Sequence, residues 1–337
     1  MIEVKGLTKI FQSFKRREGL KGAFFDLFQR EYRETAAVSD ISFHISSGEL
    51  VGYIGANGAG KSTTIKMLTG ILVPTSGHVE VAGYVPYKER REYTRNIGVV
   101  FGQRSQLWWD IGVIESFRLL QKVYQVEEKV FEERLDNFKE MLQMKDFLHT
   151  PVRNLSLGQR MRADLVAALL HNPKVVFLDE PTIGLDVEGR VKIREFLSYV
   201  NETGDTTVIL TTHNLDEIEK LCNRVIIIDK GKLLYDGPLS ELKETFSYGR
   251  RVVFVFDEEK EVEELEKLFC NGKVIWKKLE PLHYEASFDK KVISSADIIS
   301  KVIPEVRVRD ISIEEPAIED IVRKIYREGK VNPAEKL

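Results

Sequence analysis

The chain has 337 residues, enough for one large domain with a smaller one beside it. Its composition, 43% hydrophobic and 31% charged, is that of an ordinary globular protein, and a formal net charge of −3 gives no basic excess of the kind that marks nucleic-acid binding. No run approaches the ~20 apolar residues that span a bilayer, so any membrane-spanning part is expected to come from another chain. The start, Met1-Ile2-Glu3-Val4-Lys5, has no positive segment leading into an apolar core, so no signal peptide is expected. Cys222 and Cys270 lie far apart, fit no metal spacing and suit a reducing compartment.

In chain order, alternation predicts a strand over 2–9, and a charged, aromatic-rich stretch at 12–36 interrupts it. The strand pattern resumes over 38–46, and 48–54 leads into a Gly-rich loop followed by a helix start at 63–68. Short strands are expected at 78–82 and 96–101. Residues 115–144 read as one long helix with Phe117, Leu120, Val123 and Tyr124 on one face. A second helix is expected over 156–170, opened by the capping box of Ser156 and Gln159. Residues 175–178 form a continuous apolar run, as in a parallel strand buried on both faces. Helix, strand and helix follow at 191–201, 207–211 and 215–221, then a hairpin of 225–228 and 233–235. Past 237–247 the composition shifts. Strands at 251–256, 284–288 and 306–313 alternate with helices at 261–269, 295–302 and 318–327, a small α+β domain with ferredoxin-like element order.

Residues 55–62 read Gly-Ala-Asn-Gly-Ala-Gly-Lys-Ser, the phosphate-loop pattern G-x-x-x-x-G-K-S in its required strand–loop–helix setting. Gly55, Gly58 and Gly60 let the backbone curl so that N–H groups point at phosphate oxygens, and the helix start adds its positive dipole end. Lys61 is expected to reach the β- and γ-phosphates and Ser62 to hold Mg²⁺. The strand at 175–178 runs into Asp179 and Glu180. Asp179 can steady Mg²⁺ through a water, and Glu180 can polarise the attacking water as a general base.

With Leu155-Ser156-Leu157-Gly158-Gln159 one helix upstream of that strand, the chain resembles the ATP-binding-cassette (ABC) ATPase family. The family signature is usually Leu-Ser-Gly-Gly-Gln, and Leu157 departs from it. Gln103 resembles the Q-loop glutamine, Gly184-Leu185-Asp186 the D-loop, His213 the switch histidine, and Phe11 the aromatic ring that stacks on adenine. The resemblance covers residues 1 to about 240. It implies an α/β P-loop NTPase fold: a RecA-like core, an N-terminal antiparallel β subdomain and a helical subdomain at about 104–170, with residues 248–337 as a separate α+β domain.

The resemblance also implies composite sites between two cassettes arranged head to tail. Phe11, Gly55, Asn57, Gly58, Ala59, Gly60, Lys61, Ser62 and Thr63 of one subunit would hold ATP. Ser156, Gly158, Gln159 and Asp186 of the other would close on it. Ser62 and Gln103, with Asp179 through water, would hold Mg²⁺, and Glu180, His213, Gln103 and Lys61 would carry hydrolysis. Leu157 would add bulk beside the partner's nucleotide. The partners implied are a second copy or a related cassette and a transmembrane permease, with the chain peripheral on the cytoplasmic side of the membrane and without nucleic acid. The segment 313–321 resembles the tail of bacterial exporter cassettes for drugs, viologens or polysaccharides, which favours export. An importer cassette and a soluble ABC ATPase outside transport are the alternatives.

Two further features stay open at this level. Leu20, Phe24, Leu27, Phe28 and Tyr32 fall on one helical stripe within 15–34, which suits either an amphipathic helix on membrane or permease, or a helix packed on its own cassette. Trp108 and Trp109 suit either a docking groove for a permease or a core aromatic pair.

Overall fold

The structure, a computed structural model, describes residues 1–14, 32–102, 104–204, 206–212, 214–246, 250–269, 274–289, 292–314 and 318–328. The chain divides into two compact units, Met1–Gly237 and Pro238–Leu337.

In the first unit β1 (Ile2–Phe14) and β2 (Tyr32–Ile45) are followed by β3 (Leu50–Gly55), helix α1 (Lys61–Leu68), β4 (Ser76–Val81) and β5 (Ile97–Phe101). Next come α2 (Val113–Tyr124), α3 (Glu128–Met141), α4 (Leu157–Leu169), β6 (Val175–Asp179), α5 (Val187–Gly204), β7 (Thr207–Thr211), α6 (Leu215–Leu221), β8 (Arg224–Asp229) and β9 (Lys232–Pro238). Strands β2-β1-β4 form an antiparallel sheet. Strands β5-β6-β7-β3-β8-β9 form the second sheet, parallel from β5 through β8. Every residue of β3 and β7 is buried, as a parallel strand covered on both faces requires. Tyr53 of β3, fully buried, donates its hydroxyl to Thr64 Oγ1 at 3.2 Å and so anchors α1 on the sheet.

Three expectations are corrected here. The 12–36 interruption is narrower than the sequence suggests, because β1 and β2 stay paired out to Phe14↔Tyr32. Gln12, Ser13 and residues 32–36 are exposed, so no apolar alternation announces these hairpin arms. Tyr32 therefore belongs to a strand and not to a helical stripe, while Leu20, Phe24, Leu27 and Phe28 lie outside the described residues. The long helix of 115–144 is two helices. Gln125 adopts a left-handed φ of 57°, and the amides of Gln125 and Val126 close back on the carbonyls of Lys122 and Gln121. Val123 is 62% exposed, outside the buried face of Val113, Ile114, Phe117 and Leu120.

The second unit runs α7 (Leu239–Phe246), β10 (Arg250–Phe256), α8 (Val262–Glu266), β11 (Val274–Glu280), β12 (His283–Phe288), α9 (Ser295–Val302), β13 (Val308–Glu314) and α10 (Ile318–Glu328). Its antiparallel sheet has the order β11-β12-β10-β13, the arrangement of a β-α-β-β-α-β ferredoxin-like domain. Strand β11 is missing from the sequence reading, since Lys277, Lys278 and Glu280 interrupt its pattern and only Val274 and Trp276 point into the core. Phe254, Phe256, Trp276 and Tyr284 form that core, with the rings of Phe256 and Tyr284 stacked at 4.9 Å.

Candidate functional site

The loop between β3 and α1 is shaped by close approaches. Gly60 has φ 106°, and a Cβ there would lie 2.5 Å from the Ala37 carbonyl oxygen of β2. The loop also bonds to the β8–β9 turn, since the Gly231 amide donates to Ala59 O at 2.9 Å. Asn57 and Gly58 at its crest are exposed, as is Ser62, and Thr63 is half-buried. Lys61 opens α1 and is buried, its Nζ donating to Gly55 O at 2.6 Å and Ala56 O at 3.3 Å. Burial pulls its ammonium below the ordinary lysine value, and the carboxylates of Glu180 and Asp179 oppose that shift. No acidic residue occupies the first turn of α1, leaving its amide end electropositive.

Three strand ends meet beside this loop. Asp179 closes β6 in register with Thr211 of β7, whose Oγ1 donates to Asp179 Oδ1 at 2.5 Å. Ser62 Oγ donates to Asp179 Oδ2 at 3.3 Å. Glu180 turns the chain off the sheet with φ 57°, its amide bonded to Thr211 O at 2.9 Å. Gly102 lies against this turn, where a Cβ would sit 2.7 Å from Glu180 O. Ser62 and Asp179 offer hard oxygen donors, the kind that suits Mg²⁺ completed by phosphate and water. Gln103 and His213 lie outside the described residues.

Phe11 sits on β1, 41% exposed, with Lys9 Nζ 5.3 Å from its ring centroid. It pairs with Thr35, two residues before the Ala37 that abuts Gly60.

Ser156, Gly158 and Asp186 converge elsewhere. They line a cleft of about 430 Å³ with Leu157, Gly184 and Lys192, and no phosphate-loop residue is in its lining. Ser156 Oγ accepts from the Gln159 amide at 3.2 Å and Gln159 Oε1 accepts from the Ser156 amide at 2.9 Å, so the expected capping box is formed. Asp186 Oδ1 accepts from the Gly189 amide at 2.8 Å at the start of α5. Leu157, 44% exposed, packs against Gly184 of its own chain.

Trp108 and Trp109 are 43% and 50% exposed, which excludes a core aromatic pair. The Arg160 guanidinium lies 4.7 Å from the Trp109 ring centre. The preceding segment is tied to α4, for Asp164 Oδ1 accepts from Ser105 Oγ at 2.9 Å and the Gln106 amide at 3.0 Å.

These geometries agree with what the chain is similar to. The family profile described as "ABC transporter" matches residues 38–183. The ABC transporter ATP-binding protein NatA of Bacillus subtilis is 32% identical over 218 residues, 65% of this chain and 88% of the relative. The chain belongs to the ABC transporter family. It is an ATP-binding ABC ATPase, the ATP-binding subunit of a transporter. Other cassettes of the family carry different printed roles. A Nod factor export ATP-binding protein I of Cupriavidus pinatubonensis is 34% identical over 68% of this chain and 70% of its own. The methionine import ATP-binding protein MetN 2 of Enterococcus faecalis is 30% identical over 74% and 75%. Among solved structures, a dimeric ATP-binding cassette in a post-hydrolysis state, bound to ADP and phosphate, superposes with a TM-score of 0.59 at 25% identity, covering 71% of this chain and 99% of that one. Among the described residues of this cassette no helix is long and apolar enough to cross a membrane.

Residues that sequence reading missed are Thr211, which holds Asp179, and Glu217, which bonds Thr182 and Thr212. The only advance sign was the pair Thr211-Thr212 at the end of an otherwise apolar strand.

Proposed function

We propose that this cassette is the motor of an exporter, working as a head-to-tail dimer on a separate permease at the cytoplasmic face of the membrane. The observation that carries the catalytic reading is the convergence of Lys61, Ser62, Asp179 and Glu180 where β3, β6 and β7 end. Lys61 exchanges its bonds to Gly55 O and Ala56 O for the β- and γ-phosphates, the loop amides at 57–60 hold the phosphate oxygens, and Phe11 receives the adenine ring. Ser62 and Gln103, with Asp179 through a water, would hold Mg²⁺, which would supply positive charge against the phosphates. Glu180 accepts the proton of the attacking water, and His213 orients that water. Ser156, Gly158, Gln159 and Asp186 of the second subunit complete the site, the helix N-terminus at Ser156 offering amides to the γ-phosphate. Closure is driven by the higher affinity of ATP for the closed dimer.

The exporter-like tail at 313–321 and the export role printed for the Nod factor relative support outward transport. The exposed Trp108–Trp109 pair supports docking of a permease there. Import is the second reading, favoured by the name of the methionine-import relative. Affinity capture of tagged Glu180→Gln protein with ATP from native membranes tests both. Export predicts recovery of a polytopic permease without a solute-binding protein; a solute-binding protein in the captured complex overturns it.

A further inference from the structure

Glu217 stands in the first turn of α6, where a carboxylate ordinarily faces solvent, yet it is 1% exposed. Its Oε2 accepts two hydroxyls, Thr182 Oγ1 at 2.7 Å and Thr212 Oγ1 at 3.2 Å. Both threonines are themselves buried. Its Oε1 is buried with no partner among the described residues. The carboxylate therefore joins three pieces of chain: the turn after β6, the end of β7 and the first turn of α6.

What those pieces carry gives the contact its meaning. Thr182 follows Glu180 by two residues, in the turn that the Ile183 amide closes on Glu180 O at 3.3 Å. Thr212 stands between Thr211, which holds Asp179, and His213. Asn214 is tied to the same hydroxyl. The Asn214 amide donates to Thr212 Oγ1 at 3.0 Å, and Asn214 Oδ1 caps α6 through the Asp216 amide at 3.1 Å. Thr212 Oγ1 thus passes the constraint from Glu217 to the residue after His213. Beside this junction lies a cleft of about 350 Å³ lined by Glu180, Thr182, Arg190, Thr212, Asn214 and Glu217.

A buried carboxylate with one oxygen unpartnered is a poor choice for stability alone, since an apolar group of the same shape avoids its desolvation. It is a good choice for fixing two loops at one distance, because a single carbonyl-type oxygen can accept from two hydroxyls at once. We propose that Glu217 is a positioning residue for hydrolysis, its carboxylate setting the spacing between the turn that carries Glu180 and the end of β7 at Thr211-Thr212, next in sequence to His213. This rests on the hydrolytic roles proposed above for Glu180 and His213. Glu217 touches no reacting atom and acts through Thr182 and Thr212.

The test is ATPase kinetics of the full-length chain with nucleotide affinity measured in parallel. Because both threonines bond one oxygen, the amide oxygen of Glu217→Gln can take both, and that variant is expected to keep roughly half or more of the wild-type kcat. Glu217→Ala is expected to lower kcat by about tenfold or more, with ATP affinity within about threefold of wild type, since the phosphate loop is untouched. Thr182→Val and Thr212→Val, which keep side-chain shape, are each expected to lower kcat and to add nothing further in a Glu217→Ala background. The proposal is overturned if Glu217→Ala keeps its kcat, if Glu217→Gln falls as far as Glu217→Ala, or if the threonine effects add independently. Should Glu217→Ala not fold, unchanged kcat in the Thr182→Val, Thr212→Val double variant overturns it instead. Glu180→Gln in the same assay separates the two readings: turnover retained there refutes the base assigned to Glu180, whatever the Glu217 series does.

Discussion

Leu157 fills the space that a side chain at residue 184 would need: a Cβ built on Gly184 would lie 2.4 Å from Leu157 Cδ2. The contact is reciprocal, since a Cβ on Gly158 would lie 3.1 Å from Leu185 Cδ2. Each leucine thus lies over the other segment's glycine, and the signature turn and the 184–186 turn interlock within one protomer. Gly184 also has φ 72°. Gly184→Ala should therefore cost about 1–3 kcal/mol, part overlap and part backbone strain. In a Leu157→Gly background the overlap disappears and only the strain remains, so the cost should fall. Urea midpoints of the four proteins at constant slope measure this, and equal costs in both backgrounds would refute the interlock.

Lys61 separates binding from folding. Its ammonium is buried, and burial disfavours its charged form. Holding a charged ammonium there carries a desolvation cost that two backbone carbonyls offset. Lys61→Met keeps the length of the side chain and removes the charge. Stability should stay within about 1 kcal/mol of wild type, while ATP affinity should fall by about two orders of magnitude. Thermal unfolding and titration calorimetry read the two quantities separately, and unchanged ATP affinity would refute the assignment of the loop.

The sequence was most informative where chemistry constrains backbone. Residues 55–62 announce a loop through the spacing of their glycines, Lys61 and Ser62, and β6 announces itself as an unbroken apolar run over 175–178. Ser156 and Gln159 announce a helix start because each side chain completes the other's backbone bond. The paired arms of β1 and β2 beyond Ile10 were not legible, since both faces are wet and period two loses its contrast. Nor was the break at Gln125, a residue with no turn signature. Glu217 was hidden for a third reason. One acidic residue among the three of Asp216, Glu217 and Glu219 turns inward, and only tertiary partners decide which.

Asp164 gives a pH-dependent prediction. Burial pushes its carboxyl up from 3.8 to about 6, against the opposing bonds from Gln106 and Ser105 and the charge of Arg160. Between those values the folded chain binds more protons than the unfolded chain, so this group lowers stability as pH rises from about 4 to about 6, and the cost persists above 6. It amounts to about 2–3 kcal/mol. Both hydrogen bonds fall on Oδ1, so Asp164→Asn can keep them through its amide oxygen. The variant should be more stable than wild type by about 1–3 kcal/mol at pH 8, and the gain should vanish near pH 4. Urea denaturation at the two pH values checks it, and a gain that does not depend on pH would refute the assigned cause.

His171 works in the opposite direction. Its ring stacks on Tyr124 at 3.9 Å and 9°, and Nε2 lies 2.9 Å from the Ile97 carbonyl oxygen, a bond that requires the proton on Nε2. Nδ1 is buried with no partner among the described residues, so a second proton would have no acceptor among them. Burial first, then the charge of Arg134, bring the imidazole down from 6.5 to about 4, against the Ile97 bond. The unfolded chain binds more protons across that window, so this stabilisation, about 3 kcal/mol, is present above pH 6.5 and is lost as pH falls toward 4. His171→Phe keeps the stack, loses the bond and cannot titrate. It should be less stable than wild type by about 1–2 kcal/mol at pH 7, and that deficit should shrink on acidification to pH 5. The slopes of Asp164 and His171 have opposite signs over nearly the same range and largely cancel in the wild type. Each single variant should expose the slope of the other: stability rising with pH in Asp164→Asn and falling with pH in His171→Phe. Parallel slopes in the two variants would refute both assignments.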